Sequence, residues 1–167
     1  MRTSAMVVRG LIVAAVIATT ALVVGLAPVS ATPGAVERQY ILGPPMRTVI
    51  ERGPAGASPG DLTTSTGDLL DPSTRKRVGF YTTNQMTVRV DAAGGREIRD
   101  NAITFSLPGG EIIVRGLIRA PIDAPPTTSQ RFAVLGGTGR FEGVWGTASH
   151  TRFTSEGATL TLHLHGR

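Results

Sequence analysis

The stretch Leu135-Gly-Gly-Thr-Gly-Arg-Phe-Glu-Gly-Val-Trp-Gly146 decides how this chain is read. Five of its twelve residues are glycine. Glycine supplies positive φ angles and lets one backbone approach another closely. Strand-like runs flank the stretch, residues 131–135 before it and 144–153 after it. This composition fits a wide, shaped turn that reverses the chain between two strands. A phosphate-cradling loop is the competing reading of Gly137-Thr-Gly139. It requires a helix whose N-terminus faces the phosphates. Here two more glycines follow Phe141, without helical period and without Lys-Ser/Thr, so the structural turn is preferred.

The same two-strand logic extends outward. Residues 78–90 alternate with period two. Val78, Phe80, Thr82, Asn84, Met86, Val88 and Val90 share one, mostly apolar, face. Gly79, Tyr81, Thr83, Gln85, Thr87 and Arg89 share the other, mostly polar, face. That is the pattern of an antiparallel strand. Residues 101–107 put Ile103, Phe105 and Leu107 together, and Pro108-Gly-Gly110 then signals a hairpin. Residues 111–119 return with Ile112, Val114 and Ile118 on one face. Further strands are expected at 46–52, 61–70 and 158–165, the last with Leu160, Leu162 and Leu164 in phase. With the two runs beside the glycine turn this makes eight, and no helical period follows Ala31. The expected fold is all-β, an eight-stranded antiparallel up-and-down β-barrel. Closure removes exposed strand edges, and eight strands enclose packed side chains or one small ligand. A β-sandwich is the structural alternative, because strand spacing alone does not separate the two.

Composition bounds the rest. The chain has 167 residues, enough for one domain with a real core. Residues 1–31 read as a secretory signal peptide: Arg2 and Arg9 precede an uncharged run over 11–27, and Val29-Ser30-Ala31 offers a cleavage site. An uncleaved N-terminal anchor is the alternative. A secreted, extracellular protein cut after Ala31 is therefore expected, with a flexible N-terminal segment over 32–45 and a barrel domain over 46–167. Removing residues 1–31 leaves 15 basic and 12 acidic residues, a net charge of +3. The arginines are scattered, with only Arg75-Lys76-Arg77 clustered, and aromatics are sparse. Nucleic acid, which needs a basic stripe with stacking aromatics, is not an expected partner. The chain has no cysteine, which excludes disulfides, thiol chemistry and thiolate metal sites.

The glycine stretch resembles the Gly-Gly-x-Gly-x-Phe-x-Gly-x-x-Gly turn of the allene oxide cyclase-like barrels, and more distantly that of dirigent proteins. Three more pieces recur in order. Glu51-Arg-Gly-Pro-Ala-Gly-Ala-Ser-Pro-Gly-Asp61 resembles the family's entry loop. Gly67-Asp-Leu-Leu-Asp71 with Arg77-Val-Gly79 resembles its Leu-Tyr-Asp…Lys-x-Val-Gly segment. Phe105-Ser-Leu-Pro-Gly-Gly-Glu-Ile-Ile-Val-Arg-Gly116 resembles its central hairpin. Together they span residues 48–166. The resemblance implies an elongated apolar cavity for a hydrophobic small molecule, no cofactor, and a homo-oligomer, a trimer or a dimer. The plant enzymes of this family close an allene oxide into a cyclopentenone. Their catalytic glutamate aligns with Thr48, with Glu51 nearby on the opposite face. Their water-holding asparagine aligns with Gly67 and their third-strand cysteine with Gln85, while Ser58-Pro59 is kept. The scaffold is retained and most of that site is not, so no turnover of an allene oxide is expected.

Several constellations compete for the site. Glu51, Tyr81 and Gln85 are the catalytic candidates, Tyr81 and Gln85 because they share a polar face that can orient a ligand if it lines the barrel. Pro59, Phe80, Phe105 and Trp145 are the ligand-binding candidates; the aromatics, with Phe132, either wall a cavity or fill a core. His150, His163 and His165 could converge on zinc. Their other reading is a solvent-facing row opposite Leu160, Leu162 and Leu164, and no metal is expected. Asp61, Asp68 and Asp71 sit beside Pro and Gly, as turn residues do. Two functions follow. One is a barrel that binds a hydrophobic small molecule and guides its cyclisation or coupling; the other is a non-catalytic exported binding or structural module.

Overall fold

A computed structural model of the chain describes residues 34–154 and 157–166. The expected signal peptide, residues 1–31, lies outside them. Nine strands run in sequence order: β1 Val36–Leu42, β2 Met46–Ile50, β3 Leu62–Leu70, β4 Arg77–Asp91, β5 Arg96–Leu107, β6 Gly110–Pro121, β7 Gln130–Gly137, β8 Trp145–Thr154 and β9 Gly157–His165. From β3 to β9 each strand pairs antiparallel with the next, as a meander. β1 then pairs with β9 along its whole length and touches β3 at Ile41↔Leu70 and Leu42↔Leu69, which closes the sheet. β2 pairs with the other half of β3. β1 and β2 thus share one edge of β3 as a single strand position, broken at Gly43-Pro44-Pro45, where prolines cannot donate to a ladder. The result is an eight-stranded antiparallel closed barrel.

Two expectations are corrected here. Residues 32–45 were expected to be a flexible tail, but 36–42 form β1. Its polar run Glu37-Arg38-Gln39 hides the alternation, because Arg38 shares the inward phase, opposite Leu162, yet is exposed. The strand expected at 101–107 begins at Arg96 and runs in unbroken alternation. Glu97 and Arg99 fall in phase with Asn101, Ile103 and Phe105, and all five are buried.

The glycine stretch is a structural turn. After β7 it makes one 3₁₀ turn, Gly139–Phe141, and leads into β8. It stacks on the β5–β6 hairpin: Thr138 N–H donates to Glu111 O at 2.9 Å and Arg140 N–H donates to Gly109 O at 2.8 Å. Gly139 adopts φ +58°, and a Cβ there would lie 2.2 Å from Gly109 O. Only glycine permits both that dihedral and that approach. The turn drives Phe141 into the closed end of the barrel, where it is buried with Leu164 and Leu107.

Candidate ligand cavity

The inward faces of the strands sort by chemistry along the barrel. Towards the glycine turn they are apolar: Phe105, Ile112, Val114, Phe132, Leu160 and Leu162 are buried and packed. Towards the β6–β7 loop they become polar, and the packing opens into a cavity of about 570 Å³. That lies within the usual range of about 300–1,000 Å³ for small-molecule sites. Its mouth is bounded by Pro45 and Arg47 beside the broken strand, by Ala124, Pro125 and Pro126 of the β6–β7 loop, and by Thr154 and Gly157.

Strand register builds the wall. Thr63, Gln85 and Asn101 lie side by side on β3, β4 and β5, with Ser65, Thr83 and Ile103 forming the next row towards the floor. Gln130 and His150 pair across β7 and β8. The mostly polar face of β4 is therefore the inner one. Phe80, Met86 and Val88 of its apolar face are exposed. A bulge between Thr87 and Arg89 turns Arg89 out of the inward phase.

Several wall groups are tied down. Tyr81 lies over Gly67, where a Cβ would come 2.7 Å from the phenol oxygen. Its hydroxyl donates to Gly43 O at 2.8 Å, fastening the strand break. Burial, with the nearby Asp68 charge, pushes this phenol up to about 12, so it stays protonated. Arg99 forms a buried ion pair with Glu97. The Glu97 carboxylate also accepts from Asp123 N–H at 3.1 Å and from the Thr87 hydroxyl at 3.5 Å. Gln130 Oε1 accepts from Arg119 N–H at 2.9 Å and its amide nitrogen donates to Thr128 O at 2.9 Å.

Two wall residues are not tied down. Asn101 is 1% exposed and its Oδ1 has no hydrogen-bond partner among the described residues. His150 is 7% exposed and its Nε2 also lacks one. Its ring lies 4.7 Å from that of Phe132 and 6.5 Å from that of Phe105. Burial lowers the imidazole from 6.5 to about 4, so it is neutral at pH 7. A buried polar atom without a partner costs about 1–3 kcal/mol. Two such residues on one cavity wall provide a place where a ligand carbonyl, amide or hydroxyl gains hydrogen bonds that the described residues do not supply. Chemically the site can desolvate a small molecule, hold its apolar part on the floor and orient its polar group.

The candidates from sequence separate into those that meet here and those that do not. Tyr81 and Gln85 line the cavity. Glu51 is exposed beyond the end of β2, and Pro59 is exposed in the loop before β3. Phe80 is 40% and Trp145 53% exposed, both on outward faces, so neither lines the cavity. Phe105 is fully buried in the packed floor beneath it. Thr48 pairs with the exposed Thr64 on the outer face of β2, so the aligned glutamate position does not face the interior. His150 lies across from Leu160 and not from His163, which pairs with Thr147. His163 is exposed on the opposite face, 3.4 Å from Glu37. Asp61 clasps the entry loop, accepting from Arg52 N–H and Ser58 N–H, each at 2.8 Å. Sequence reasoning missed Glu97, Arg99 and Asn101 as site residues. Their phase with Ile103 and Phe105 was the available signal.

No protein-family model and no curated protein matches the chain. Solved structures do. The chain is similar to a pyocyanin demethylase at 19% identity and TM-score 0.66, covering 78% of this chain and all 100% of that one. It is similar to the Diels–Alderase AbmU from Streptomyces koyangensis at 17% identity and TM-score 0.59, with 78% of this chain and 64% of that one covered. The pterocarpan synthase dirigent protein GePTS1 follows at 16% identity and TM-score 0.55, covering 78% and 82% of the two chains. At these identities the likeness is one of fold. In fold the barrel is similar to these solved barrels, a dirigent protein among them, in line with the resemblance of the four sequence motifs. Its fold is shared with a demethylase, a Diels–Alderase and a dirigent protein.

Proposed function

We propose that this protein is an exported barrel that takes one hydrophobic small molecule into the cavity and guides its cyclisation or coupling by holding it in one orientation. The observation that carries this reading is the opening of the packed interior into a cavity with an apolar floor and polar atoms at Asn101 and His150 that have no partner among the described residues. Holding a flexible molecule in a reactive shape, out of water, is a large catalytic lever by itself. The likeness in fold to a Diels–Alderase and to a dirigent protein supports the same reading. Export follows from residues 1–31, and the exposed apolar residues of β4 and β6 suit a homo-oligomer. Allene oxide cyclisation is not the expected reaction, because Thr48 faces outward and the ring of Tyr81 covers Gly67. Rapid stereoselective cyclopentenone formation by the purified protein would overturn that.

A binding module without catalysis is the second reading. It is favoured by the engagement of the Glu97 carboxylate with Arg99, Thr87 and Asp123. Native mass spectrometry of protein purified undenatured from its own host tests the common core of both. A co-purified apolar molecule is expected, and replacing Asn101 and His150 together by leucine should weaken its retention. A protein that carries no such molecule and takes up no neutral naphthyl probe contradicts both readings. Incubating the identified molecule with the protein then separates catalysis from storage.

A further inference from the structure

The closed end of the barrel, at the far end of β9 from the cavity, carries a second concavity of about 170 Å³. Its floor is apolar, formed by Val36 of β1, Leu164 of β9, and Phe141 and Val144 from the glycine turn. Two guanidinium groups flank it, Arg38 from β1 and Arg140 from the 3₁₀ turn. Neither has an ion-pair partner among the described residues. The neighbouring Glu37 is turned to the outer face and engaged with His163 and Gln39. Arg140 is steadied over the Phe141 ring, 4.7 Å from its centroid. His165 completes the wall; its Nδ1 is buried without a hydrogen-bond partner among the described residues, and its ring stacks on Trp145 at 4.4 Å. Gly34 and Gly166 form lips without side chains.

Arginines without an ion-pair partner among the described residues, beside an apolar floor, match one ligand chemistry. The guanidinium fork takes a carboxylate in a bidentate hydrogen-bonded pair, and the floor takes a compact apolar body. The volume is below the range of about 300–1,000 Å³ typical of larger ligands. We propose that this cleft is a second site, separate from the cavity, that binds a small apolar monocarboxylate of the size and shape of an aromatic acid.

Trp145 is the one tryptophan in the chain, and it stacks on the cleft wall away from the cavity. Its emission therefore reports on this site. The full chain is titrated with benzoate, with benzyl alcohol and with inorganic phosphate, and backbone amide shifts at Gly34, Val144 and Gly166 are followed in parallel. Benzoate is expected to give saturable changes in both readouts. Arg38→Ala and Arg140→Ala should each weaken binding about tenfold, the loss of one charge-assisted pair. Both residues are exposed, so the variants fold. Benzyl alcohol and phosphate should bind more weakly than benzoate, each lacking one half of the match. No saturable change in either readout, or unchanged binding in the arginine variants, overturns the proposal. Phosphate binding as well as benzoate overturns the assignment to an apolar carboxylate. Because a neutral probe of the main cavity leaves Trp145 untouched, failure here and failure of the cavity reading are told apart.

Discussion

At the scale of single residues the interior is set by where polar side chains find partners. His150 is the sharpest case. Unfolded, it takes a proton near pH 6.5; folded, burial defers this to about 4. Between those values the unfolded chain binds more protons, so stability is full above pH 6.5 and is lost as pH falls. The loss approaches about 3 kcal/mol once both forms are protonated. Urea unfolding at pH 7 and at pH 4.5 measures it, and His150→Gln should remove most of the difference. An equal pH dependence in that variant would place the imidazole in water. Gly67 is informative for the opposite reason. It looked like the loss of a family polar residue, and the structure shows it is the space that the Tyr81 ring occupies on its way to Gly43 O.

At the scale of elements, the glycine turn and its neighbour hairpin form one unit. A Cβ at Gly110 would lie 2.0 Å from Thr138 O, and one at Gly139 would lie 2.2 Å from Gly109 O. Gly139→Ala must therefore separate two backbones and hold alanine at positive φ. A loss of about 2–4 kcal/mol is expected from strain and displaced packing, measured as a lower urea midpoint at unchanged slope. Elements were largely legible in the sequence because glycine spacing and period-two alternation are local. β2, β3, β4, β6, β7, β8 and β9 were placed within two positions at each end. β1 was not legible, since it is a strand only by pairing with β9, over 100 residues later, and Arg38 interrupts its inward apolar phase. The first half of β5 was missed because Glu97 and Arg99 face each other inside the barrel, where sequence patterns predict apolar residues.

At the scale of the whole molecule, the consequence is an inverted β4 whose apolar face points out and whose Thr, Tyr and Gln face points in. Alternation alone shows that two faces differ and not which one is enclosed. The candidate site was half legible for this reason. Tyr81 and Gln85 were found from their shared face, whereas Phe80 and Trp145 were chosen for size and lie outside. Asn101 and His150 gain their meaning from closure, which brings β5 and β8 to one cavity. The central claim is that this cavity is a binding site. It is tested most directly by titrating a neutral naphthylamine fluorophore into the protein and into Thr83→Trp, which projects a large ring into the cavity. Saturable binding to the unaltered protein, weakened at least about tenfold by the substitution at an unchanged unfolding midpoint, is the predicted result. No binding to the unaltered protein, or equal binding to both, would contradict the account.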